Sequence, residues 1–217
     1  MTFKAVIFDL DGTLLDTIDD LTDSMNAALT SLDLPAISVE QAKVYIGDGV
    51  EKFAIRSLPE DQRDEKTVAA CIAAMRAHYS DNWDNKTRSY DGVDSLLADL
   101  ASHELKLAIL SNKPDDFTKL MVDKLLPGEA FDIVLGARDG VPKKPAPDAI
   151  EEILAEFNIQ PADVLYLGDT NTDMQTAVNA GLLAVGALWG FRTADELRKH
   201  GAAYLLERPT DVLSLLE

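Results

Sequence analysis

Five short apolar runs recur along the chain with helical patterns between most of them, and this recurrence constrains the fold more than any other feature. They are Lys4 to Leu10 (KAVIFDL), Leu105 to Leu110 (LKLAIL), Phe131 to Leu135 (FDIVL), Val164 to Leu167 (VLYL) and Leu182 to Leu188 (LLAVGAL). Short apolar runs bounded by polar or glycine residues are what strands buried on both faces of a parallel sheet require. Helical periodicity over Val93 to Ser102, Asp115 to Leu126, Pro147 to Phe157 and Thr172 to Ala180 supplies the crossovers. The alternation predicts an α/β chain built on a Rossmann-like parallel sheet with helices on both faces.

From about Thr17 to Asn85 the alternation stops. That stretch has no convincing strand, but it has helical patterns such as DDLTDSMNAALTSL and EKTVAACIAAMRAHY. It reads as an all-helical insertion after the first strand, interrupted by Gly47 and Gly49 around Asp48, with Tyr90-Asp91-Gly92 marking the return to the sheet. A chain of 217 residues is long enough for one core domain with such an insertion.

Charge excludes some partners. The formal charge of -18 repels nucleic acid and anionic membrane surfaces, so neither is expected as a partner. The same field repels an anionic substrate, which would need a bound cation and a few basic groups to reverse the potential locally. No apolar stretch approaches the length of a membrane span, and the N-terminal MTFKAVIFDL lacks the apolar region of a secretory signal, which reads as a cytoplasmic chain. The single cysteine, Cys71, lies in the alanine-rich run AACIAAM and reads as helix packing.

In a doubly wound sheet, ligands bind beyond the carboxyl ends of the strands, and polar clusters stand at four such places. After the first run comes Asp9-Leu10-Asp11-Gly12-Thr13-Leu14, whose two carboxylates share a side if the chain stays extended. A divalent cation would relieve their repulsion and leave the second as a general acid or base; an ordinary Asp-Gly loop is the alternative. Ser111-Asn112-Lys113 offers a hydroxyl, an amide and backbone N–H groups for phosphoryl oxygens, or else a helix cap before Pro114. Lys143-Lys144-Pro145-Ala146-Pro147 places two lysines on a stiff loop, one expected to point inward and the other to stay solvated. Gly168-Asp169-Thr170-Asn171-Thr172-Asp173 presents two carboxylates suited to a hard cation, although Asp173 also suits the start of a helix.

Taken together, the four clusters resemble the motifs of the haloacid dehalogenase superfamily of phosphohydrolases. Asp9-x-Asp11-Gly12-Thr13-Leu14 is similar to its first motif, Ser111 to its second, Lys144-Pro-x-Pro to its third and Gly168-Asp169-x-x-x-Asp173 to its fourth, in the family's order. The insertion is similar to the helical cap of the subfamily that contains phosphoglycolate phosphatases and β-phosphoglucomutases. The resemblance implies a catalytic core of residues 1–15 and 88–217 and a cap of residues 16–87. It implies a Mg2+-dependent phosphatase that passes through an aspartyl-phosphate. In it Asp9 would be the nucleophile and a metal ligand, and Asp11 the acid/base and a ligand through its carbonyl. Asp169 and Asp173 would complete or support the metal site, Ser111, Asn112 and Thr13 would hold the phosphoryl group, and Lys144 would neutralise charge.

The segment Tyr45 to Lys52 looks like the specificity loop of phosphoglycolate phosphatases, which makes Gly47, Lys52 and Arg56 candidate substrate-binding residues and 2-phosphoglycolate the expected ester. Lys52 and Arg56 also suit an exposed helix face. A β-phosphoglucomutase-like phosphomutase or a broad sugar-phosphate phosphatase is the enzymatic alternative. A haloalkanoate dehalogenase is disfavoured by Asp11, and a phosphate-accepting signalling module by the large insertion. The expected partner is a small phosphorylated metabolite, with the chain a monomer or homodimer. His78, His103, His200, Trp83 and Trp189 read as surface or packing residues.

Overall fold

The computed structural model describes residues 3–103 and 105–216. In chain order the first elements are β1 (Ala5–Phe8), β2 (Leu15–Asp16), α1 (Ile18–Ser31), α2 (Val39–Tyr45), α3 (Val50–Ser57), α4 (Glu65–Asn82) and β3 (Arg88–Ser89). There follow α5 (Val93–Leu100), β4 (Lys106–Pro114), α6 (Asp115–Leu125), β5 (Ile133–Ala137), α7 (Asp148–Phe157), β6 (Val164–Gly168), α8 (Asn171–Ala180), β7 (Leu183–Ala187), α9 (Ala194–Lys199) and β8 (Tyr204–Leu206). The chain forms two compact units, Met1–Leu15 with Ser89–Glu217, and Asp16–Arg88. The strands β2 and β3 pair as a short ribbon where the chain passes between units.

The larger unit carries a six-stranded sheet in the order β5-β4-β1-β6-β7-β8, with every pair parallel. This is the α/β sheet expected from the alternation. One face packs Ala5, Ile7, Ala108, Leu110, Val164 and Tyr166 against Ala149, Ile150 and Ile153 of α7, Met174 and Ala177 of α8, and Leu197 of α9. The alternate side chains Val6, Phe8, Ile109, Leu165 and Leu167 are buried as well, so both faces are covered, as period-two strands in a doubly wound sheet require. The chain leaves β1 for β4 and β5 on one side and later fills β6, β7 and β8 on the other, which makes β1 the switch point of the sheet. Phe8 stands opposite Ile109 of β4 and Leu167 of β6, so the residues that follow these three strands meet at one edge.

Two local features differ from the sequence reading. β4 runs through Ser111, Asn112 and Lys113 to Pro114, so Ser111 and Asn112 are strand residues and not helix caps; Pro114 itself precedes α6. Steric restriction of the residue before a proline keeps Lys113 extended. The strand β8, Tyr204–Leu206, was not anticipated, because three residues are too few to show a period.

The smaller unit is helical between its ribbon ends. Ser38 and Gln41 form a capping box at the start of α2, and Asp64 accepts the N–H groups of Lys66 and Thr67 at the start of α4. Cys71 is buried on α4 with its thiol 3.7 Å from Met25 Sδ, the packing role expected of it. Asp20, buried in α1, accepts hydrogen bonds at Oδ2 from Lys86 N–H (2.9 Å), Thr87 N–H (2.8 Å) and the Thr87 hydroxyl (2.8 Å). These bonds tie the returning chain to the first helix.

Candidate active site

Asp9 is the first residue beyond β1. Its N–H donates to Leu167 O at 2.9 Å, which continues the β6 pairing by one residue and fixes where the side chain starts. Asp9 Oδ1 accepts the Leu10 N–H at 2.7 Å and lies 2.9 Å from Lys144 Nζ. The chain then turns tightly, with the N–H groups of Leu14 and Leu15 both donating to Leu10 O at 3.0 Å. Gly12 sits in this turn at φ +84, and a Cβ there would overlap the Asp169 carboxylate, so both conformation and space call for glycine.

The turn delivers Asp11 and Thr13 to different partners. Lys113 Nζ lies 3.0 and 3.1 Å from the two Asp11 oxygens, in a pair whose side chains are only 5% and 14% exposed. The Thr13 hydroxyl donates to Asp169 Oδ1 at 3.0 Å, and the Thr13 carbonyl accepts the Trp189 indole N–H at 2.9 Å. Asp169, the first residue beyond β6, also accepts the Phe191 N–H at Oδ2, 2.8 Å away. Thr13 therefore orients a carboxylate, while Trp189 closes the turn from the loop after β7.

Asp173 stands in the first turn of α8. Thr170 caps that helix, and its N–H (2.9 Å) and hydroxyl (2.6 Å) both donate to Asp173 Oδ2. Asp173 Oδ1 accepts from Lys144 Nζ at 2.7 Å and from the Tyr166 hydroxyl at 3.2 Å. Of the adjacent lysines, Lys144 is buried and Lys143 exposed, as expected of the pair. The Asn112 amide clamps the Lys144 backbone, accepting its N–H at 2.9 Å and donating to its carbonyl at 3.1 Å, across a loop that includes a cis Lys144–Pro145 bond. Ser111 is buried at the same strand end, its hydroxyl accepting the Lys113 N–H at 3.2 Å.

One carboxylate oxygen from each of Asp9, Asp169 and Asp173 lies within 4.8 Å of the others, and all three residues are buried. Burial first, and then the Asp173 charge, pushes the Asp9 carboxyl well above the usual range. The same two causes, in the same order, raise Asp169 to about 7. Burial alone would lower the Lys144 ammonium, yet Asp173 and Asp9 outweigh it and hold Lys144 well above its ordinary value. Burial also raises the Tyr166 hydroxyl. Three buried carboxylates thus crowd one another, Asp9 and Asp173 sharing the Lys144 ammonium while Asp169 feels the buried Arg192, an arrangement that disfavours full ionisation. A donor set made only of oxygens with this excess of negative charge fits a hard divalent cation.

The structure brings Asp9, Asp169, Asp173, Lys144 and Thr13 into one cluster, with Asn112 positioning Lys144. Asp11 lies outside the carboxylate cluster and pairs with Lys113. In the helical unit, Gly47 occupies the loop between α2 and α3 at φ +122, and Arg56 reaches back to that loop, donating to Tyr45 O at 2.9 Å and to Asp48 Oδ2 at 2.5 Å. Lys52 is exposed on α3. His103 is exposed, while the Nδ1 atoms of His78 and His200 sit 3.0 Å from Ser24 Oγ and 2.8 Å from Gln175 Nε2.

Sequence reasoning missed Tyr166 and Lys113 as site residues. Tyr166 was absorbed into an apolar strand. Lys113 carried a usable signal, since residues two apart on an extended strand share a face with one another, here Ser111 and Lys113.

Residues 6–187 match the family model described as haloacid dehalogenase-like hydrolase. The chain is 30% identical over 214 residues to a phosphoglycolate phosphatase of Aquifex aeolicus, covering 99% of this chain and 97% of that one. It is also 30% identical over 217 residues to phosphoglycolate phosphatase 1 of Pseudomonas aeruginosa, covering 98% and 77%. Among solved structures, a provisionally assigned phosphoglycolate phosphatase of Lactobacillus delbrueckii superposes with a TM-score of 0.93 at 31% identity, covering 100% of this chain and 99% of that one. No helix among the described residues is long and apolar enough to cross a membrane.

Proposed function

As the chain belongs to the haloacid dehalogenase-like hydrolases and is an enzyme similar to phosphoglycolate phosphatases, we propose that it is a magnesium-dependent phosphatase acting through an aspartyl-phosphate on Asp9. The observation that carries this reading is the buried cluster of Asp9, Asp169 and Asp173 at the switch point of the sheet, with Lys144 paired to Asp9 and Asp173.

An oxygen of Asp9 attacks phosphorus, and the bond from phosphorus to the ester oxygen breaks. Asp11 donates its proton to the departing oxygen, then accepts a proton from the water that attacks the acyl phosphate. Inorganic phosphate leaves and the Asp9 carboxylate is restored. Lys113, bound to both Asp11 oxygens, fixes the orientation of that carboxylate. Lys144 offsets negative charge on Asp9 and the phosphoryl group, Asp173 and Asn112 hold Lys144 in place, and Ser111 binds a phosphoryl oxygen. Asp9 and Asp169 would hold Mg2+, with Asp173 beside them and the Asp11 carbonyl as a further ligand. The cation supplies charge neutralisation that lets an anionic nucleophile meet an anionic ester.

The substrate we favour is 2-phosphoglycolate, a small carboxylate-bearing monoester, in keeping with the names of the relatives. We propose the helical unit as a cap that sets substrate choice, with Gly47 and Lys52 as substrate-binding residues and Arg56 bracing the Gly47 loop. We place the enzyme in the cytoplasm as a monomer or homodimer.

The test is phosphate release from 2-phosphoglycolate, hexose phosphates, nucleotides and p-nitrophenyl phosphate, with magnesium and with chelator. Turnover that requires magnesium and prefers 2-phosphoglycolate supports the proposal. A preference for hexose phosphates would replace the substrate, and turnover unaffected by chelator would overturn the metal dependence.

A further inference from the structure

We propose that Tyr166 is a positioning residue whose phenol holds one N–H of the Lys144 ammonium so that another stays directed at Asp9. This inference rests on the reading of Asp9 as nucleophile.

An ammonium carries three N–H bonds, and Lys144 Nζ has three partners at hydrogen-bond distance: Asp173 Oδ1 at 2.7 Å, Asp9 Oδ1 at 2.9 Å and Tyr166 OH at 3.1 Å. The phenol accepts from lysine and donates in turn, lying 3.2 Å from Asp173 Oδ1 and 3.4 Å from Leu110 O. Its ring is set in the apolar layer with Ile7, Ala108 and Leu110, and the residue is 0% exposed. Tyr166 stands opposite Ile7 in the β1–β6 register, two residues short of Asp9. A ring locked in the core therefore presents a single polar atom to the site from below. Without that atom, one ammonium N–H faces carbon, and the lysine can rotate away from Asp9.

The experiment compares full-length wild type, Tyr166→Phe and Asp9→Asn, with magnesium and p-nitrophenyl phosphate as the probe. Steady-state kcat and KM are measured beside thermal unfolding and the 15N-lysine NMR signal of the Lys144 ammonium. We expect kcat to fall about tenfold in Tyr166→Phe, the effect of losing one hydrogen bond to a charged group. KM should stay within about twofold and the ammonium signal should shift or broaden, effects that lost stability alone does not produce.

A kcat within about twofold of wild type, with Asp9→Asn inactive, overturns the role of Tyr166 and leaves the reading of the site standing. Turnover surviving in Asp9→Asn overturns that reading and the inference with it. Should the phenylalanine variant not fold, Tyr166→Met serves the same comparison with the same outcomes.

Discussion

Asp169→Asn should stabilise the metal-free protein near neutral pH while removing its response to magnesium. Asp169 is held at about 7, chiefly by burial and then by the Asp173 charge, against an ordinary value of 3.8. Between those two values the folded state keeps a proton that the unfolded state has released, so stability falls as pH rises through this window. At about 1.4 kcal/mol for each tenfold change in proton affinity, the difference leaves about 4 kcal/mol of stability missing at pH 7 and above.

Asparagine removes that titration but keeps only one acceptor for the two groups that donate to Asp169, Thr13 Oγ1 and Phe191 N–H. Leaving one of them unpaired costs about 1–3 kcal/mol. The variant should therefore be close to wild type at about pH 5, and its advantage should grow by about 3 kcal/mol by about pH 8. The assay is urea unfolding in chelator at both pH values, followed by Trp189 fluorescence in a Trp83→Phe background. An advantage that fails to widen with pH would mean that Asp169 is not a buried acid strained by its neighbours. Added magnesium should raise the stability of wild type at the higher pH and leave the variant unchanged.

Lys113→Met frees both Asp11 oxygens, so with Asp11 as the proposed acid/base kcat should fall about 10- to 100-fold. Magnesium affinity, read by titration calorimetry, should stay as in wild type, because the three clustered carboxylates are untouched. Asp20→Ala removes the acceptor of three hydrogen bonds from Lys86 and Thr87 and should destabilise the helical unit by about 3 kcal/mol, measured by urea unfolding followed at Trp83.

The sheet was legible because strands buried on both faces leave continuous apolar runs, and KAVIFDL and VLYL carry that signature without ambiguity. The acidic clusters were legible for a related reason, since polar residues just past such runs must fall at the ligand-binding edge. Partner choice was not legible. The Asn112 amide was expected on a phosphoryl group, yet it clamps the Lys144 backbone, a contact between residues 32 apart that depends on how the Lys144 loop folds back. By sequence Arg56 suits either a substrate ligand or an exposed cation. It is half-buried and braces its own loop through Tyr45 O and Asp48, because α3 turns it back toward α2. Tyr166 was hidden by its aromatic ring, which satisfies the apolar pattern of β6 while its hydroxyl answers to the charged cluster.

In the proposed mechanism, phosphate passes through Asp9. The most direct measurement is an acid quench of the enzyme turning over 2-phosphoglycolate with magnesium, followed by borohydride reduction and peptide mass spectrometry. A trapped acyl phosphate would appear as homoserine at position 9, absent without substrate and absent in Asp9→Asn. Turnover with no modification at position 9, or with an acyl phosphate trapped at Asp11 instead, would mean that Asp9 is not the nucleophile.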